Sequence, residues 1–384
     1  MAVRYGFRRR DGEEPDDLDV DELLELLADD YLRTGDLEEA MDRLLDAGYV
    51  TEAGDRVEGL RDLMERLRAR RRDLERRADP DGELARYQDR LDAIEALEDA
   101  ELAELLAEAE ASGDERRAEV TRDVVDAKSL QRELMSERLG ERISQLRDYD
   151  FVSSQAREQF DALVAELERD VINTFFERSR GFLADPDPAA LAELREMMDA
   201  ISTMIEQDRA GEELDPSFEQ FMDRWGEHFP GATSLEDVVR MLAERAAAAE
   251  AMFNSMSAEQ QSELRSLFDS LLSDMDLDLS LTRLVSNLRA ATPDLDWGRA
   301  HRMRGGEPTS FADSTEVAER LGELRRLEQI IGRRSAAQAL PEVDVDAVRR
   351  HLGDDAARHV ERLARALRGL RDGGFVDRTG GRLE

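Results

Sequence analysis

"LREMMDAISTMI", residues 194–205, decides the class of fold. Leu194, Met197, Met198, Ile201, Met204 and Ile205 recur at intervals of three and four, with Arg195, Glu196 and Asp199 between them. That is the period of a helix with one apolar face, where a half-buried strand would alternate every second residue. The pattern extends in both directions and predicts long helices over 58–78, 82–112, 114–138, 154–182, 188–208, 216–228, 234–255 and 258–275, with shorter ones to 290. Start and stop signals agree. Ser257-Ala258-Glu259-Gln260 reads as a capping box. Asp185-Pro186-Asp187-Pro188 ends one helix and opens the next, with Asp187 as cap and Pro188 in the first turn.

Strand signals occur twice, in "AGYVTEAGDRVEG" (47–59) and "GGFVDRTGGRLE" (373–384). The two align without a gap from Leu45–Glu58 to Arg371–Glu384, matching Gly48 to Gly374, Val50 to Val376, Gly54 to Gly380 and Arg56 to Arg382. Each follows an amphipathic helix and reads as helix, Gly stop, strand, turn, strand. The expected fold is therefore mainly α, an elongated multi-helix bundle with two short winged-helix-like β-hairpins. The second hairpin stops before its closing strand is complete, which predicts a fragment or a shortened homologue. Phe375, Val376 and Leu383 are expected to pack with Leu363, Leu367 and Leu370.

The 384 residues hold 91 Asp and Glu against 54 Lys and Arg, a net charge of −37. With 38% charged residues against about 25% in ordinary domains, most of the surface repels nucleic acid and anionic membrane. There is no Cys, which excludes disulfides, thiolate metal sites and a Cys nucleophile. The N-terminus lacks the apolar stretch of a signal peptide, and no apolar run approaches the about 20 residues that span a bilayer. The expected setting is the cytoplasm. Residues 299–384 carry 17 Arg against 15 Asp and Glu, a net +2, leaving −39 in residues 1–298. Charge thus divides the chain into 1–80 with the first hairpin, an acidic helical region over 81–298, and 299–384 with the second hairpin.

Arg358, Arg362 and Arg365 lie on one face of the last helix, opposite Val360, Leu363, Leu367 and Leu370. These three arginines are the candidate interaction surface. A basic helix ahead of a wing can enter a major groove; the first copy, with Glu38, Glu39 and Asp42 behind Leu37, Met41, Leu44 and Leu45, argues for a solvated or protein-binding face. In "RLRARRRDLERR" (66–77), Asp62, Glu65, Asp73 and Glu75 sit at helical spacing, which predicts pairs within the helix. Asp274, Asp276 and Asp278 open like a calcium loop, but Leu279 and Val285 stand where Gly and Glu are needed. Asp278-Leu279-Ser280-Leu281-Thr282 fits the D-x-S-x-[ST] pattern of a metal-ion-dependent adhesion site, yet follows a helix, and a helix cap by Asp278 or Ser280 accounts for it. His228, His301, His351 and His359 have no compact metal spacing, and His359 is read as lying on an exposed helix. No phosphate-binding loop or nucleophile elbow occurs. Met197, Met198, Met204, Met222, Met241, Met252 and Met256 are read as core filling rather than an adaptable surface. The chain is accordingly expected to be no enzyme, with no catalytic, cofactor or metal residues.

"DYDFVSSQAREQFDALVAEL" (148–167), "FMDRWGEHFPG" (221–231), "AMFNSMSAEQQSELRSLFDSLLSDMDL" (251–277) and "LGDDAARHVERLARALRGLRDGGFVDRTGGRLE" (352–384) resemble the N-terminal region of actinobacterial von Willebrand factor A domain-containing, magnesium-chelatase-like proteins. The resemblance implies a non-enzymatic adaptor that works with a MoxR-type or chelatase-like AAA+ ATPase and recruits client proteins. It also implies that the A domain and its metal motif lie outside this sequence. The alternative is a nucleic-acid-binding regulator using the C-terminal winged unit, although nucleic acid is not the expected partner.

Overall fold

The structure, a computed structural model, describes residues 20–51, 54–176, 188–214, 216–303, 305–332 and 335–372. In chain order the helices and strands are α1 (Val20–Thr34), α2 (Leu37–Ala47), β1 (Gly48–Val50), β2 (Arg56–Glu58), α3 (Leu60–Glu75), α4 (Pro80–Ala111), α5 (Glu115–Glu133), α6 (Leu139–Arg147), α7 (Ser154–Phe175), α8 (Pro188–Ala210), α9 (Phe218–Trp225), α10 (Leu235–Phe253), α11 (Ala258–Asp274), α12 (Asp278–Ala291), α13 (Phe311–Ile331), α14 (Ala336–Ala339), α15 (Val345–Leu352) and α16 (Asp354–Asp372). The fold is mainly α, with one short antiparallel hairpin among the described residues. No helix of the described residues is long and apolar enough to cross a membrane.

Packing divides the chain into two units: Met1–Arg72 with Glu323–Glu384, and Asp73–Gly322. The boundaries expected from charge, 80/81 and 298/299, fall elsewhere and separate the two ends of the chain, which share the first unit. Charge marks what a surface repels, whereas packing follows the apolar faces beneath it. α3 and α13 are continuous helices through the division, so no turn signal marks it.

In the first unit the expected order of helix, Gly, strand, turn and strand is observed over residues 37–58. Gly48 pairs with Glu58, Tyr49 with Val57 and Val50 with Arg56, and the middle pair is buried. Leu44, Leu45, Tyr49 and Val57 bury one face of this segment, while β2 packs on α16. The second hairpin, and with it the expected cluster of Phe375, Val376 and Leu383, lies outside the described residues.

Two glycines let the hairpin close. Gly48 has φ +76°, and a Cβ there would stand 2.2 Å from the Val57 carbonyl oxygen; one on Gly59 would stand 2.3 Å from the Asp46 carbonyl oxygen. These neighbours are backbone and cannot swing aside. Gly48→Ala is therefore expected to destabilise the first unit by about 3 kcal/mol. Gly54→Ala has similar positive φ but open space around it, and should cost only about 1 kcal/mol. Urea unfolding of the two variants checks the difference, and equal losses would rule out the close crossing.

In the second unit α4 packs on α5 and α7, α6 on α11, α8 on α12, and α10 on α7, α8 and α12. The helix expected over 114–138 is observed as α5, which ends at Glu133, and a turn then leads into α6, which was not expected. α6 escaped the sequence reading because Arg138 at its start makes no side-chain cap and Gly140 looks like a breaker. Gly140 belongs there because a Cβ would meet the Ser266 carbonyl oxygen at 2.7 Å where α6 crosses α11. The Ser257–Gln260 capping box is formed in both directions. α8 begins at Pro188 as expected; the cap expected from Asp187 falls outside the described residues.

Two buried carboxylates complete helix ends. Glu98 on α4, with no exposed surface, accepts hydrogen bonds from the Tyr149 hydroxyl at 3.0 Å, the Val152 N–H at 2.9 Å and the Ser153 N–H at 2.8 Å, just ahead of α7. Asp170 on α7 accepts from the Phe311 and Ala312 N–H groups at 2.9 and 3.0 Å and so caps α13. Burial holds the Asp170 carboxyl above the usual carboxylate range, against the opposing pull of those two N–H groups.

Candidate interaction surface

α16 starts with Asp354 and Asp355 in its first turn, where the helix dipole favours acid. Its apolar row, Val360, Leu363, Leu367 and Leu370, is buried as expected. Arg358, Arg362 and Arg365 follow one another at i, i+4 and i+7 on the opposite face, with Arg358 and Arg365 exposed and Arg362 half-buried. Arg358 forms an ion pair with Asp355. The three arginines are therefore brought together, though at least one is already matched by acid from its own helix.

Beside this row lies a polar junction that sequence spacing does not show. His359 is half-buried rather than on an exposed helix, and its Nδ1 accepts the Glu58 N–H at 3.4 Å. Glu58 in turn holds Arg66 at 2.8 Å, and Arg66 also donates to the Leu352 carbonyl at 3.1 Å. Burial, with the charges of Arg362 and Arg66, pulls the His359 pKa below its ordinary value, opposed by Glu58. The ring thus stays a neutral acceptor with its proton on Nε2 at neutral pH. An open groove of about 430 Å³, lined by Arg56, Glu58, Asp62, Glu65, Arg66 and Ala69, adjoins it on α3. Arg56 pairs with Asp62 across this groove at 2.9 Å. The result is a surface of closely set opposite charges.

The basic run over 66–77 departs from its expected pairing. Arg77 does pair with Asp73 one turn back at 2.7 Å, but Arg66 reaches Glu58 on β2 and Arg71 reaches Glu328 on α13 at 2.9 Å. α3 is packed among other elements, so its cations find acids there. The cap expected from Asp278 or Ser280 is also absent: α12 begins at Asp278 without a side-chain cap bond. α11 closes first, through Asp276 at φ 58° and a bond from the Leu277 N–H to the Leu272 carbonyl, and the chain enters α12 directly from that turn.

His351 lies 2.6 Å from Glu323 and joins α15 to α13; its hydrogen bond, with the Arg350 charge, holds the Glu323 carboxyl below the usual range against the effect of burial. Among the described residues no group of three or more His, Cys, Asp or Glu is placed to hold a metal. Met197, Met198, Met204, Met252 and Met256 are buried core residues, while Met222 and Met241 are partly exposed.

One surface was missed from the sequence altogether. α5 packs on α4 but has no buried residue. Val120, Val124, Leu130 and Leu134 stand 57%, 47%, 56% and 76% exposed. The sequence predicts a helix here but singles out no apolar face on it, and spacing within one helix carries no information on what covers it.

The architecture defines a mainly α protein with two candidate surfaces, one of mixed charge and one apolar. In comparison with known proteins, the chain is similar to an uncharacterized protein of Mycobacterium bovis and to one of Mycobacterium tuberculosis, each 30% identical over 363 residues, which is 94% of this chain and 51% of the relative. An uncharacterized protein of a second Mycobacterium tuberculosis strain is 30% identical over 366 residues, with the same coverage. The chain spans about half the length of the curated relatives it matches. No family model matches the chain, and no solved structure matches it.

Proposed function

We propose that this chain is a non-enzymatic adaptor in the cytoplasm that works with a MoxR-type or chelatase-like AAA+ ATPase and brings client proteins to it. The observation that carries the reading is the mixed-charge surface formed by Arg358, Arg362 and Arg365 with the neighbouring groove on α3. Alternating guanidinium and carboxylate groups select a protein partner by charge register, with arginine as the strongest contributor. The resemblance carried by residues 148–167, 221–231, 251–277 and 352–384 supports the choice of ATPase.

The test is co-purification of a MoxR-type ATPase produced alongside the chain, with Arg358, Arg362 and Arg365 replaced together by Ala. The expected result is recovery of the ATPase by the unaltered chain and a loss of about tenfold in the variant, as for removal of central arginine contacts. No recovery by the chain or by a full-length relative would remove the adaptor reading. DNA retention that falls steeply with salt and disappears in the same variant would instead establish the nucleic-acid regulator.

A further inference from the structure

We propose that the outward face of α5 is a docking surface for a basic amphipathic helix of a client protein. The inference rests on the adaptor reading and adds the chemistry of what is recruited. Val120, Val124, Ala127, Gln131 and the C-cap Leu134 fall at i, i+4, i+7, i+11 and i+14, one row along the helix that is apolar but for Gln131. The opposite face, including Thr121, Val125 and Lys128, is half-buried. Leu130 borders the row. Among the described residues, eight large apolar side chains stand exposed, and four of them are these valines and leucines of residues 120–134. Scattered exposed apolar residues are ordinary, but a contiguous row on one helix marks an interface.

Charge selects the occupant. Glu119, Asp123 and Asp126 run along one flank of the row and are exposed. The nearby cations bond chiefly to other groups: Lys128 donates to the Asp150 carbonyl, Arg132 is paired with Asp99, and Arg122 bonds Glu110 at 2.6 Å and is attracted more weakly by Asp123 and Asp126. Arg116 and Arg117 sit in the first turn, before the row begins. A second copy of α5 would set acid against acid along an antiparallel pair, and an anionic lipid surface would be repelled. A helix with an apolar stripe flanked by Lys or Arg satisfies both the row and its acidic border, the helix-in-groove mode of recognition.

The experiment measures fluorescence anisotropy of a labelled amphipathic Leu/Lys peptide with the whole chain, beside a Leu/Glu peptide of the same pattern. Replacing Val120, Val124 and Leu134 together by Ser keeps every charge and removes only exposed side chains. It should weaken Leu/Lys binding at least about tenfold and leave the melting temperature unchanged. Asp123→Lys with Asp126→Lys should also weaken it, and added salt should then relieve the loss rather than deepen it, whereas Leu279→Ser, at an exposed leucine on α12, should not matter. Equal binding by the Ser variant would overturn the proposal by showing attraction to net charge alone. Equal binding of the Leu/Glu peptide would overturn its charge basis, and self-association abolished by the Ser variant would assign the face to a second copy. ATPase recovery without peptide binding would sink the docking surface and leave the adaptor; peptide binding at α5 without any ATPase would do the reverse.

Discussion

Glu98→Ala is expected to lower the stability of the second unit by about 4 kcal/mol. The substitution leaves the Tyr149 hydroxyl and the Val152 and Ser153 N–H groups without their acceptor in a place that water does not reach. Each buried donor left unmade costs about 1–3 kcal/mol. Burial, with the hydrogen bond to Glu98, also holds the Tyr149 phenol above its ordinary pKa, so Tyr149 stays a neutral donor. Glu98→Gln keeps one acceptor oxygen but turns an NH₂ toward N–H donors, and should fall between the two. Thermal unfolding is expected to show a drop of about 10 °C for the Ala variant. A shift smaller than that of an exposed control such as Glu104→Ala would mean that the loop ahead of α7 is held by something else.

The loop that Glu98 holds is part of "DYDFVSSQAREQFDALVAEL", one of the stretches carrying the family resemblance. Structure gives those residues work that a motif search does not. Tyr149 stacks edge-on against Phe151 with ring centres 5.0 Å apart, Phe151 meets Phe160 at 5.5 Å, and Ser153 caps α7 through the Ala156 N–H. Lys128 of α5 lies 4.8 Å above the Tyr149 ring. The same loop therefore closes the start of α7 and anchors the helix that carries the proposed docking row.

What was legible in the sequence was local. The periodicity of Leu194 to Ile205, the Ser257 cap and the Gly48 stop each depend on residues within a turn or two, and all three appear where expected. Contacts between distant residues were not legible. Glu98 and Asp170 are two among 91 carboxylates, and nothing in their spacing separates a buried cap from a solvated surface acid. His359 finds Glu58 across 301 positions of chain, so its half-buried state was hidden from a reading of its own helix. The arginine row on α16 was visible because it requires only one helix. The row on α5 required knowing that no element among the described residues covers it, which is a property of the assembled unit.

Phe268→Ala is expected to cost about 4 kcal/mol, the upper part of the range for emptying a buried aromatic site. Phe268 on α11 is 3% exposed and meets three rings from three other helices: Phe253 at 5.0 Å and 86°, Phe311 at 5.7 Å and 73°, and Phe175 at 6.1 Å and 66°. All three are edge-to-face contacts, the arrangement in which ring quadrupoles attract. Phe311 is also the residue whose N–H is held by Asp170, so its ring is fixed at both backbone and side chain. The surrounding rings cannot collapse into the space without giving up those edges. Phe268→Leu retains most of the volume and should lose about 1.5 kcal/mol, the ordinary cost of a change in shape. A double-mutant cycle between Phe268→Leu and Phe311→Leu should return a coupling of about 1 kcal/mol. Coupling near zero, with Phe268→Ala no worse than Phe268→Leu, would show that the four rings do not form one packed cluster.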